Sequence, residues 1–525
     1  MGDGTMTDLE AVSRLRRLAD VRTLWRAEFP KRIALSQGDA RVSYGELADQ
    51  IDATAAWFYE LGYRAGERII LVGENSAALL EAMFAASALD LWVVMLNARL
   101  SKPEIDAIRA HCRPRATIYF ADRSPDALRH GEASAARRVG HPSLGTVLID
   151  EEDLGGTAEP VLDDPAEQIA LLMYTSGSTG TPKGVMLSHR SVLTLASTSA
   201  SLRQLRTEDR LFLTTPMTHV MGLFSVSLSA LLVGATVVIE QRFDPETVLN
   251  VLKRERITVF PAVPTVFYKL LHHIETHNVR LYLPSLRFIW AGGSLLEAAL
   301  AERTRAVFGL PLHNGYGMTE ASSSICLTSV TAPVVPESVG WFLPGLEWKL
   351  VAVRSGDAAD SDTPDVGELL IRGPTVMKGY FRDPELTART LDADGWLTTG
   401  DLARVADGQV YIVGRSKDMI VRSGFNVYPA EVERAINAHP QVVHSAVVGR
   451  REQNNERIIA FVERAPASSV NDTELDAFLA GRLAGYKRPQ EFRFVDKLPL
   501  ATNGKVLKHR LALHASDGAP VSETA

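Results

Sequence analysis

Segments with the apolar spacing of a helix alternate with short apolar runs of strand length along residues 1–165, and this pattern predicts an α/β segment. Residues 68–72 form a compact apolar run of strand length, and residues 41–47 read as a strand that enters a helix. Ser43 is the expected N-cap of that helix because Glu46 follows three residues later, as in a capping box. Helix-like and strand-like pieces continue to alternate, which is typical of a largely parallel sheet.

One uncharged stretch, Met221 to Ile239, is 19 residues long and could cross a bilayer on length alone. Gly234-Ala235-Thr236 divides it into a helix-like piece and a strand-like piece, so a buried helix–turn–strand is predicted instead. Residues 1–10 contain acidic side chains and no apolar segment, which argues against a signal peptide. The sequence therefore predicts no transmembrane segment.

At 525 residues the chain is too long for one compact core, and at least two domains are expected. The net charge of −7 excludes the large basic excess with which proteins bind nucleic acid. Two cysteines, Cys112 and Cys326, are too few for a disulfide framework, so a reducing, cytoplasmic location is expected. The sequence does not indicate an oligomeric state.

The strongest candidate for chemistry is a segment rich in Ser, Thr and Gly at residues 174–184, directly after the apolar run 169–173. Glycine lets the backbone approach a ligand, hydroxyls add donors and lysine adds positive charge, which together suit a polyphosphate. A Walker A loop does not fit, because Lys183 follows a proline and Gly184 stands where that motif has Ser or Thr. A flexible linker is the alternative, but it does not explain the apolar residues 185–187 that follow at once. The expected phosphate-binding residues are Thr175, Ser176, Gly177, Ser178, Thr179, Gly180 and Lys183.

This segment resembles the phosphate loop of the adenylate-forming (ANL) superfamily, which includes acyl-CoA synthetases, firefly luciferase and peptide-synthetase adenylation domains. Further segments match that family's motifs in the family's order, and the resemblance covers nearly the whole chain. The matching segments are Asn314-Gly315-Tyr316-Gly317-Met318-Thr319-Glu320, Thr398-Thr399-Gly400-Asp401, Gly414-Arg415-Ser416-Lys417-Asp418 and Pro499-Leu500-Ala501-Thr502-Asn503-Gly504-Lys505.

The resemblance implies a fold and an activity. The fold would be a large N-terminal α/β domain of layered sheets and helices, residues 1–414, and a small mobile C-terminal α/β domain, residues 419–515. Residues 415–418 would form the hinge, and the small, polar residues 516–525 are expected to be disordered. The activity would be that of an ATP-dependent carboxylate–CoA ligase, with ATP, Mg²⁺ and coenzyme A as cofactor and co-substrates.

The resemblance also implies roles for individual residues. Glu320 would hold Mg²⁺, Lys505 would reach the reacting carboxylate, and Lys417 would be the hinge residue. Asp401 would accept the ribose hydroxyls, while Arg415 would meet ribose or phosphate. The expected catalytic set consists of Glu320, Lys505, Lys417 and Thr175. The remaining nucleotide contacts are expected from Gly292, Gly293, Asn314, Tyr316, Gly317 and Thr319.

The acyl group is expected to contact a set of uncharged residues, which favours an aromatic or medium-chain monocarboxylate. A dicarboxylate would require an arginine, for which Arg287 is the candidate. The expected acyl-pocket residues are His219, Val220, Met221, Pro261, Gly315, Ser322 and Ser323. The expected coenzyme A contacts are Gly424, Arg99, Tyr486, Lys487 and Arg488.

Three alternatives remain open at this point. A free-standing enzyme that loads a carrier protein would share the same motifs, as would a non-catalytic nucleotide sensor. An amino-acid substrate is disfavoured, because residues 216–222 lack the aspartate with which family members bind an α-ammonium group. Residues 499–505 also read P-x-x-x-x-G-K, which resembles the acetylation motif of bacterial acyl-CoA synthetases, so a lysine acetyltransferase and a deacetylase are expected partners at Lys505.

Overall fold

The computed structural model describes residues 14–176, 182–352, 366–422, 425–452, 455–465, 468–499 and 506–517. Of these, the part that precedes Ser416 contains 20 strands in three sheets. The strands are β1 (Ile33–Gln37), β2 (Ala40–Ser43), β3 (Arg68–Gly73), β4 (Trp92–Asn97), β5 (Ala116–Tyr119), β6 (Arg137–His141), β7 (Gly145–Asp150), β8 (Ile169–Ser176), β9 (Pro182–Ser188), β10 (Arg210–Leu213), β11 (Thr236–Ile239), β12 (Val259–Ala262), β13 (Phe288–Ala291), β14 (Leu312–Tyr316), β15 (Cys326–Leu327), β16 (Trp341–Phe342), β17 (Glu347–Val351), β18 (Gly367–Arg372), β19 (Leu397–Ala406) and β20 (Gln409–Arg415).

Helices connect most of these strands, as the alternating sequence pattern predicts. The α-helices of this part are Val21–Leu24, Tyr44–Glu60, Ala77–Ala88, Lys102–Cys112, Pro125–Ala133, His189–Leu202, Ser229–Leu232, Pro245–Arg254, Pro264–Thr276, Ala298–Phe308 and Pro384–Thr390. Single 3₁₀ turns lie at Leu18–Asp20, Ala121–Arg123, Pro165–Glu167, Thr319–Ala321 and Ser416–Asp418, and Met221–Leu228 is a π-helix.

The predicted helix starts are confirmed where the capping signal is local. Ser43 precedes the helix Tyr44–Glu60, and its hydroxyl accepts a hydrogen bond of 3.2 Å from the Glu46 backbone N–H. In return the Glu46 carboxylate accepts one of 2.8 Å from the Ser43 backbone N–H. Two N–H groups at the helix end are therefore satisfied by side chains only three residues apart.

Two large sheets have parallel centres and antiparallel edges. The spatial order is β16-β15-β14-β13-β12-β10-β11-β1-β2 in the nine-stranded sheet and β6-β7-β5-β3-β4-β8-β9 in the seven-stranded sheet. The central pairs are parallel, whereas β1·β2, β14·β15 and β8·β9 are antiparallel. The predicted parallel sheet is thus confirmed at its centre and wrong at its edges. Residues 1–165 also do not form one unit, since β1 and β2 join the nine-stranded sheet.

One apolar core joins the two large sheets. It contains Leu71 of β3, Trp290 of β13 and Val192 of the helix His189–Leu202, all buried together. The alternate residues of β13, such as Ile289, pack instead into a second core on the far side of the sheet. Because side chains alternate across a strand, Trp290 faces the layer between the sheets.

The uncharged stretch from Met221 to Ile239 lies inside this core. It forms the π-helix, the short helix Ser229–Leu232, a turn in which Gly234 has φ of +73°, and β11. The predicted helix–turn–strand is therefore confirmed. Over the described ranges, no helix combines the length and the apolar character that crossing a membrane requires.

A separate small domain follows the third sheet, which has the order β17-β18-β19-β20. It contains β21 (Ile420–Arg422), β22 (Phe425–Val427), β23 (Val442–Glu452), β24 (Asn455–Arg464) and β25 (Glu491–Val495), the α-helices Pro429–Asn437, Asp472–Ala480 and Lys508–Asp517, and a 3₁₀ turn at Gly485–Lys487. The predicted helix start at Pro429 is confirmed. The last helix extends two residues into the tail that the sequence predicts to be disordered, and residues 518–525 lie outside the described residues.

Polar contacts between described residues join the small domain to the large one. The Asn437 side chain donates a hydrogen bond of 2.6 Å to Glu297, which also accepts one of 2.6 Å from the Tyr268 hydroxyl. Arg434 forms an ion pair of 2.8 Å with Glu337. These contacts lie at the helix Pro429–Asn437, and their polar character suits an interface that can open.

Gly317 is the glycine on which the path of the chain after β14 depends. A Cβ atom at Gly317 would lie 1.5 Å from the carbonyl oxygen of Ser323, which is backbone and cannot rotate away. We expect Gly317→Ala to lower the free energy of unfolding by about 3 kcal/mol or more, the upper range for overpacking. Urea unfolding measures this change. Gly140→Ala is the control, because a Cβ there meets nothing within 4 Å; equal stability losses in the two variants would contradict the packing argument.

Candidate functional site

The Ser- and Gly-rich segment joins two antiparallel strands. β8 runs into it and β9 leaves it, with Thr175 paired to Lys183 across the hairpin. The predicted strand 169–173 is therefore confirmed as part of β8. A Walker A loop is followed by a helix, whereas this segment is followed by a strand, so the structure also argues against that motif. Gly177, Ser178, Thr179 and Gly180 lie outside the described residues, as does the side chain of Ser176.

A short backbone segment, residues 377–381, connects this hairpin to Glu320. The backbone N–H of Phe381 donates a hydrogen bond of 2.8 Å to the carbonyl of Gly184 in β9. At the other end, the backbone N–H of Met377 donates one of 2.8 Å to the carbonyl of Glu320. The segment thus fixes the distance between the hairpin and the 3₁₀ turn Thr319–Ala321.

Tyr380, in the middle of that segment, contacts both sides of the site. Its hydroxyl donates a hydrogen bond of 2.8 Å to Oε1 of Glu320, and the Lys183 ammonium lies 5.8 Å from the centre of its ring. Burial, and next the Glu320 carboxylate, raise the pKa of the Tyr380 phenol above its ordinary value. The phenol therefore stays protonated and holds the carboxylate in place. Sequence reasoning missed Tyr380; the glycine before it was the local signal, and such glycines are common in loops.

Beside the hairpin lies a cleft of about 220 Å³, lined in part by Lys183, Tyr380 and Arg382. His111 lies there as well, and its Nδ1 is 2.6 Å from the Tyr174 hydroxyl. Burial, followed by the nearby Arg382 charge, lowers the pKa of His111. The lining also contains Asp383, so the two cations Lys183 and Arg382 leave the cleft with a net positive charge, which suits anions.

A second hydrogen-bonded group unites three predicted nucleotide contacts. The Tyr316 hydroxyl donates a hydrogen bond of 2.6 Å to Oδ2 of Asp401, and Arg415 donates one of 3.1 Å to Oδ1. Asp401 is buried, whereas half of the Arg415 side chain is exposed. Burial, and then the Asp401 carboxylate, raise the pKa of the Tyr316 phenol. Each carboxylate oxygen can accept a second hydrogen bond, so Asp401 retains capacity for ligand hydroxyls.

The ends of β13 and β14 approach the π-helix at two glycines. A Cβ at Gly292 would lie 3.5 Å from Sδ of Met221 and 3.7 Å from the carbonyl oxygen of Gly315. Asn314 precedes Gly315 and is buried, with its Oδ1 accepting a hydrogen bond of 2.9 Å from the Gly315 N–H. Gly293 follows with φ of +84°. The structure thus brings together the predicted adenine-binding and acyl-pocket residues at the carboxyl edge of a parallel sheet, where α/β proteins bind ligands.

The other predicted acyl-pocket residues differ in exposure. Ser322 is fully buried and its hydroxyl donates a hydrogen bond of 2.7 Å to the Thr375 carbonyl. The Ser323 hydroxyl lies 2.9 Å from that of Ser225 in the π-helix. Pro261 is buried in β12, paired with Trp290. His219 and Val220 are half-buried directly before the π-helix. Ser322 therefore serves the local backbone, while His219, Val220 and Met221 are half-buried where the π-helix begins.

The predicted hinge residue lies between the two domains, and the described coenzyme A contacts are divided between them. Lys417 is exposed in the 3₁₀ turn Ser416–Asp418, between β20 and β21. Lys487 and Arg488 are already paired with carboxylates, at 2.6 Å to Glu431 and 3.0 Å to Asp476. Tyr486 lies in the same 3₁₀ turn as Lys487, and its carbonyl accepts a hydrogen bond of 3.0 Å from Arg422. Arg99 follows β4 in the large domain. Its side chain is half-exposed, and its Nε lies 3.9 Å from Oε1 of Glu74. Gly424 and Lys505 lie outside the described residues.

The carboxylate of Glu320 suits a metal ion that is held mainly by its ligand. Mg²⁺ takes oxygen ligands and usually binds through one or two carboxylates together with substrate phosphates. Within the described ranges, no group of three His, Cys, Asp or Glu side chains could form a complete metal site. One carboxylate, fixed by Tyr380 and facing the hairpin, fits Mg²⁺ bound together with a polyphosphate.

Known proteins resemble this chain in both sequence and fold. The chain is 36% identical to a feruloyl-CoA synthase of Amycolatopsis sp over 483 residues, which are 91% of this chain and 95% of the relative. It is 32% identical to 4-coumarate–CoA ligase 1 of Oryza sativa subsp. japonica, with 86% of this chain and 83% of that protein covered. The structure of O-succinylbenzoate coenzyme A synthetase (MenE) from Bacillus subtilis, in complex with ATP and magnesium ion, superposes with a TM-score of 0.78, 28% identity and coverage of 94% of this chain and 99% of MenE.

Two family models account for most of the chain. The AMP-binding enzyme model matches residues 23–381, and the AMP-binding enzyme C-terminal domain model matches residues 431–505. The first match spans the hairpin, the Glu320 turn and the segment 377–381, and the second spans most of the small domain. The chain therefore belongs to the AMP-binding enzymes, the adenylate-forming superfamily that contains the acyl-CoA synthetases.

Proposed function

We propose that this ATP-dependent carboxylate–CoA ligase activates an aromatic carboxylic acid, and that the residues around Glu320 carry the first half-reaction. The observation that carries this proposal is the fixed carboxylate of Glu320, which Tyr380 holds facing the Lys183 hairpin. The named relatives act on feruloyl, coumaroyl and succinylbenzoyl groups, which supports an aromatic substrate. The predicted acyl-pocket residues, which include Met221 and Gly315, carry no charge and are consistent with such a ring.

In the first half-reaction, a carboxylate oxygen attacks the α-phosphorus of ATP and the bond to the β-phosphate breaks. Acyl-adenylate and pyrophosphate are the products. Lys183 and the hydroxyls of the hairpin bind the β- and γ-phosphates. Glu320 would hold Mg²⁺, and the bound ion would supply positive charge that neutralises the phosphates. Lys505 bridges the carboxylate and the α-phosphate. The enzyme contributes mainly position and electrostatic stabilisation, as in other reactions at phosphorus.

The nucleoside is held by the second hydrogen-bonded group. Asp401 accepts the ribose hydroxyls, Arg415 meets ribose or phosphate, and the Tyr316 ring stacks on adenine. Thr319 contacts the α-phosphate. Gly292 and Gly293 let the adenine lie close to the backbone, because a glycine presents no Cβ.

In the second half-reaction, the small domain turns about Lys417 and removes Lys505 from the carbonyl carbon. The coenzyme A thiol then loses its proton and attacks that carbon, and AMP leaves with one of the original carboxylate oxygens. Gly424 borders the pantetheine channel. Arg99, Tyr486 and Arg488 contact the nucleotide end of coenzyme A, for which Arg488 has to leave Asp476 or share it.

The alternatives that the sequence leaves open concern the acceptor and catalysis. A carrier-protein ligase would give no thioester with free coenzyme A, and a nucleotide sensor would not exchange pyrophosphate into ATP. The named relatives are coenzyme A ligases, which favours the free thiol. Assaying AMP release with a panel of benzoic, cinnamic and medium-chain fatty acids, with and without coenzyme A, tests the aromatic substrate and the acceptor together.

Two further expectations concern the protein in the cell. Cys112 and Cys326 are free and buried, which agrees with a reducing, cytoplasmic location. Lys505 is proposed as the target of a lysine acetyltransferase and a deacetylase, on the sequence motif alone.

Glu320→Gln is expected to lose most adenylation activity, because it removes the charge that holds Mg²⁺. One missing charge-stabilising contact costs about 3 kcal/mol of barrier, roughly a hundredfold in rate. Pyrophosphate exchange at saturating Mg²⁺ measures the loss. Tyr380→Phe is the matched variant: it keeps the carboxylate and removes the hydrogen bond, so roughly a tenfold loss, about 1.4 kcal/mol, is expected. A pyrophosphate-exchange rate of the Glu320→Gln variant within twofold of wild type would overturn the assignment of Glu320 as the Mg²⁺ ligand.

Lys417→Pro is expected to separate the two half-reactions. Proline fixes φ and removes an N–H at the proposed hinge, so the small domain could no longer turn. Pyrophosphate exchange should persist while thioester formation collapses. Lys417→Ala, which leaves the backbone free to rotate, is the control and should keep most of both activities. A parallel fall of both rates in the proline variant would mean that Lys417 is not the hinge or that the fold is damaged.

Lys505→Ala, or protein acetylated at Lys505, is expected to make no acyl-adenylate from ATP. Acetylation removes the ammonium charge, and the anions of ATP and carboxylate then lack their bridge. Either form should still convert pre-made acyl-adenylate and coenzyme A to thioester. Near-normal adenylation by Lys505→Ala would show that Lys505 is an ordinary surface lysine. Loss of both half-reactions would indicate that Lys505 has a structural role.

A further inference from the structure

Arg203 is a buried cation without an acidic partner. It follows the helix His189–Leu202, and only 4% of its surface is exposed. Its Nη1 donates to the Ser199 hydroxyl, and its guanidinium carbon lies 4.3 Å from the centre of the Trp290 ring. Among the described residues no Asp or Glu forms an ion pair with it, and burial alone lowers the pKa of Arg203 to about 9. An arginine remains charged even so, and a buried charge normally has a partner.

Other arginines in the same fold do have such partners. The described residues bury three arginines, Arg68, Arg109 and Arg203. Arg68 forms an ion pair of 2.8 Å with Glu159, and Arg109 pairs with Asp150. Arg287, the candidate for a second substrate carboxylate, is likewise occupied by Asp209. The unpaired charge of Arg203 is therefore a local feature that this fold avoids elsewhere.

Arg203 packs against a neighbour of the predicted acyl pocket. Its partner Trp290 lies in β13, faces the layer between the large sheets and is paired with the predicted pocket residue Pro261 of β12, and Gly292 follows the last residue of β13. Met221 closes that layer over Gly292, at 3.5 Å from the position of a Cβ there. Two residues along a strand span about 6.6 Å, a length comparable to that of a substituted benzene ring. A ring whose carboxylate lies near Gly292 would therefore extend to the level of Trp290, against which the Arg203 guanidinium packs.

A neutral histidine stands on the same face. His313 is paired with Trp290 across β13 and β14, and its Nδ1 lies 3.1 Å from the Thr328 hydroxyl. Burial, followed by the charge of Arg203, lowers the pKa of His313 to about 4. His313 is therefore uncharged near neutral pH and does not compete with a ligand as a second cation.

We propose that Arg203 is a specificity-determining residue that donates a hydrogen bond to an oxygen at the far end of the acyl group. This inference rests on the proposed function and narrows its substrate to aromatic acids with an oxygen acceptor, such as a phenol, opposite the carboxylate. A guanidinium N–H is a strong donor to oxygen. An acid without that oxygen leaves the buried donor unpaired, and a site built for such a bond rejects the analogue.

The wild-type enzyme gives the first test. AMP release is measured with two matched pairs, 4-hydroxycinnamate against cinnamate and 4-hydroxybenzoate against benzoate. We expect kcat/KM to be at least tenfold higher for the oxygenated acid in the pair that the enzyme prefers. A ratio below twofold in both pairs would overturn the inference, and release of AMP with no acid of either pair would count instead against the proposed aromatic substrate.

Arg203→Met gives the second test, because it keeps the length of the side chain and removes the charge and the donors. We expect it to lose tenfold or more in kcat/KM for the oxygenated acid, chiefly through KM, while the acid without oxygen stays within threefold of wild type. The second acid thereby reports that the variant is folded. Arg206→Met, at an exposed arginine three residues later, is the matched control and should leave the ratio unchanged.

Arg203→Lys covers the case in which the methionine variant does not fold. It retains a buried cation with a donor, and so should preserve part of the preference for the oxygenated acid. An unchanged preference in a folded Arg203→Met would show that Arg203 only packs against Trp290. If the methionine variant is inactive with both acids, a preference that is reduced but not abolished in an active Arg203→Lys supports the inference, and an unchanged preference in that variant overturns it.

Discussion

The hydrogen bond from Tyr380 to Glu320 is the interaction on which the site depends most. It joins two side chains that are 60 positions apart in sequence at 2.8 Å. The backbone on either side of Tyr380 is bonded to β9 and to the Glu320 turn, so hydrogen bonds link the hairpin, the tyrosine and the carboxylate to one another. A carboxylate facing a polyphosphate has to be held in place, since two groups of the same charge repel each other until a cation lies between them.

The nucleoside side of the site is organised differently. Asp401 bonds to Tyr316, which is half-buried against the core, and to the half-exposed Arg415 at the start of the proposed hinge. One oxygen is therefore held by a partner in the large domain, and the other by a partner on the segment that leads to the small domain. Because Arg415 directly precedes the 3₁₀ turn with Lys417, a rotation of the small domain about the proposed hinge would alter the Arg415–Asp401 pair, which is the proposed ribose site. The polar contacts at Glu297 and Glu337 between the described parts of the two domains are consistent with such a rotation.

Local signals in the sequence predicted local structure well. Ser43 with Glu46, Pro429 and the run 169–173 each mark an element that a few neighbouring residues decide. The antiparallel edge strands were missed, because strand direction depends on how connections cross the sheet. Tyr380 and Arg203 were missed for the related reason that their partners, Glu320 and Trp290, are distant in sequence. A glycine motif indicates that a ligand approaches the backbone; it does not indicate which side chain of another element lies opposite.

In the proposed reaction, a carboxylate oxygen attacks the α-phosphorus of ATP, and coenzyme A then displaces AMP. An acid labelled with ¹⁸O in both carboxylate oxygens tests it most directly, with mass spectrometry of the products. The account predicts one labelled oxygen in the phosphate of AMP, one in the thioester carbonyl and none in pyrophosphate. Label in inorganic phosphate, with ADP as the nucleotide product, would contradict it.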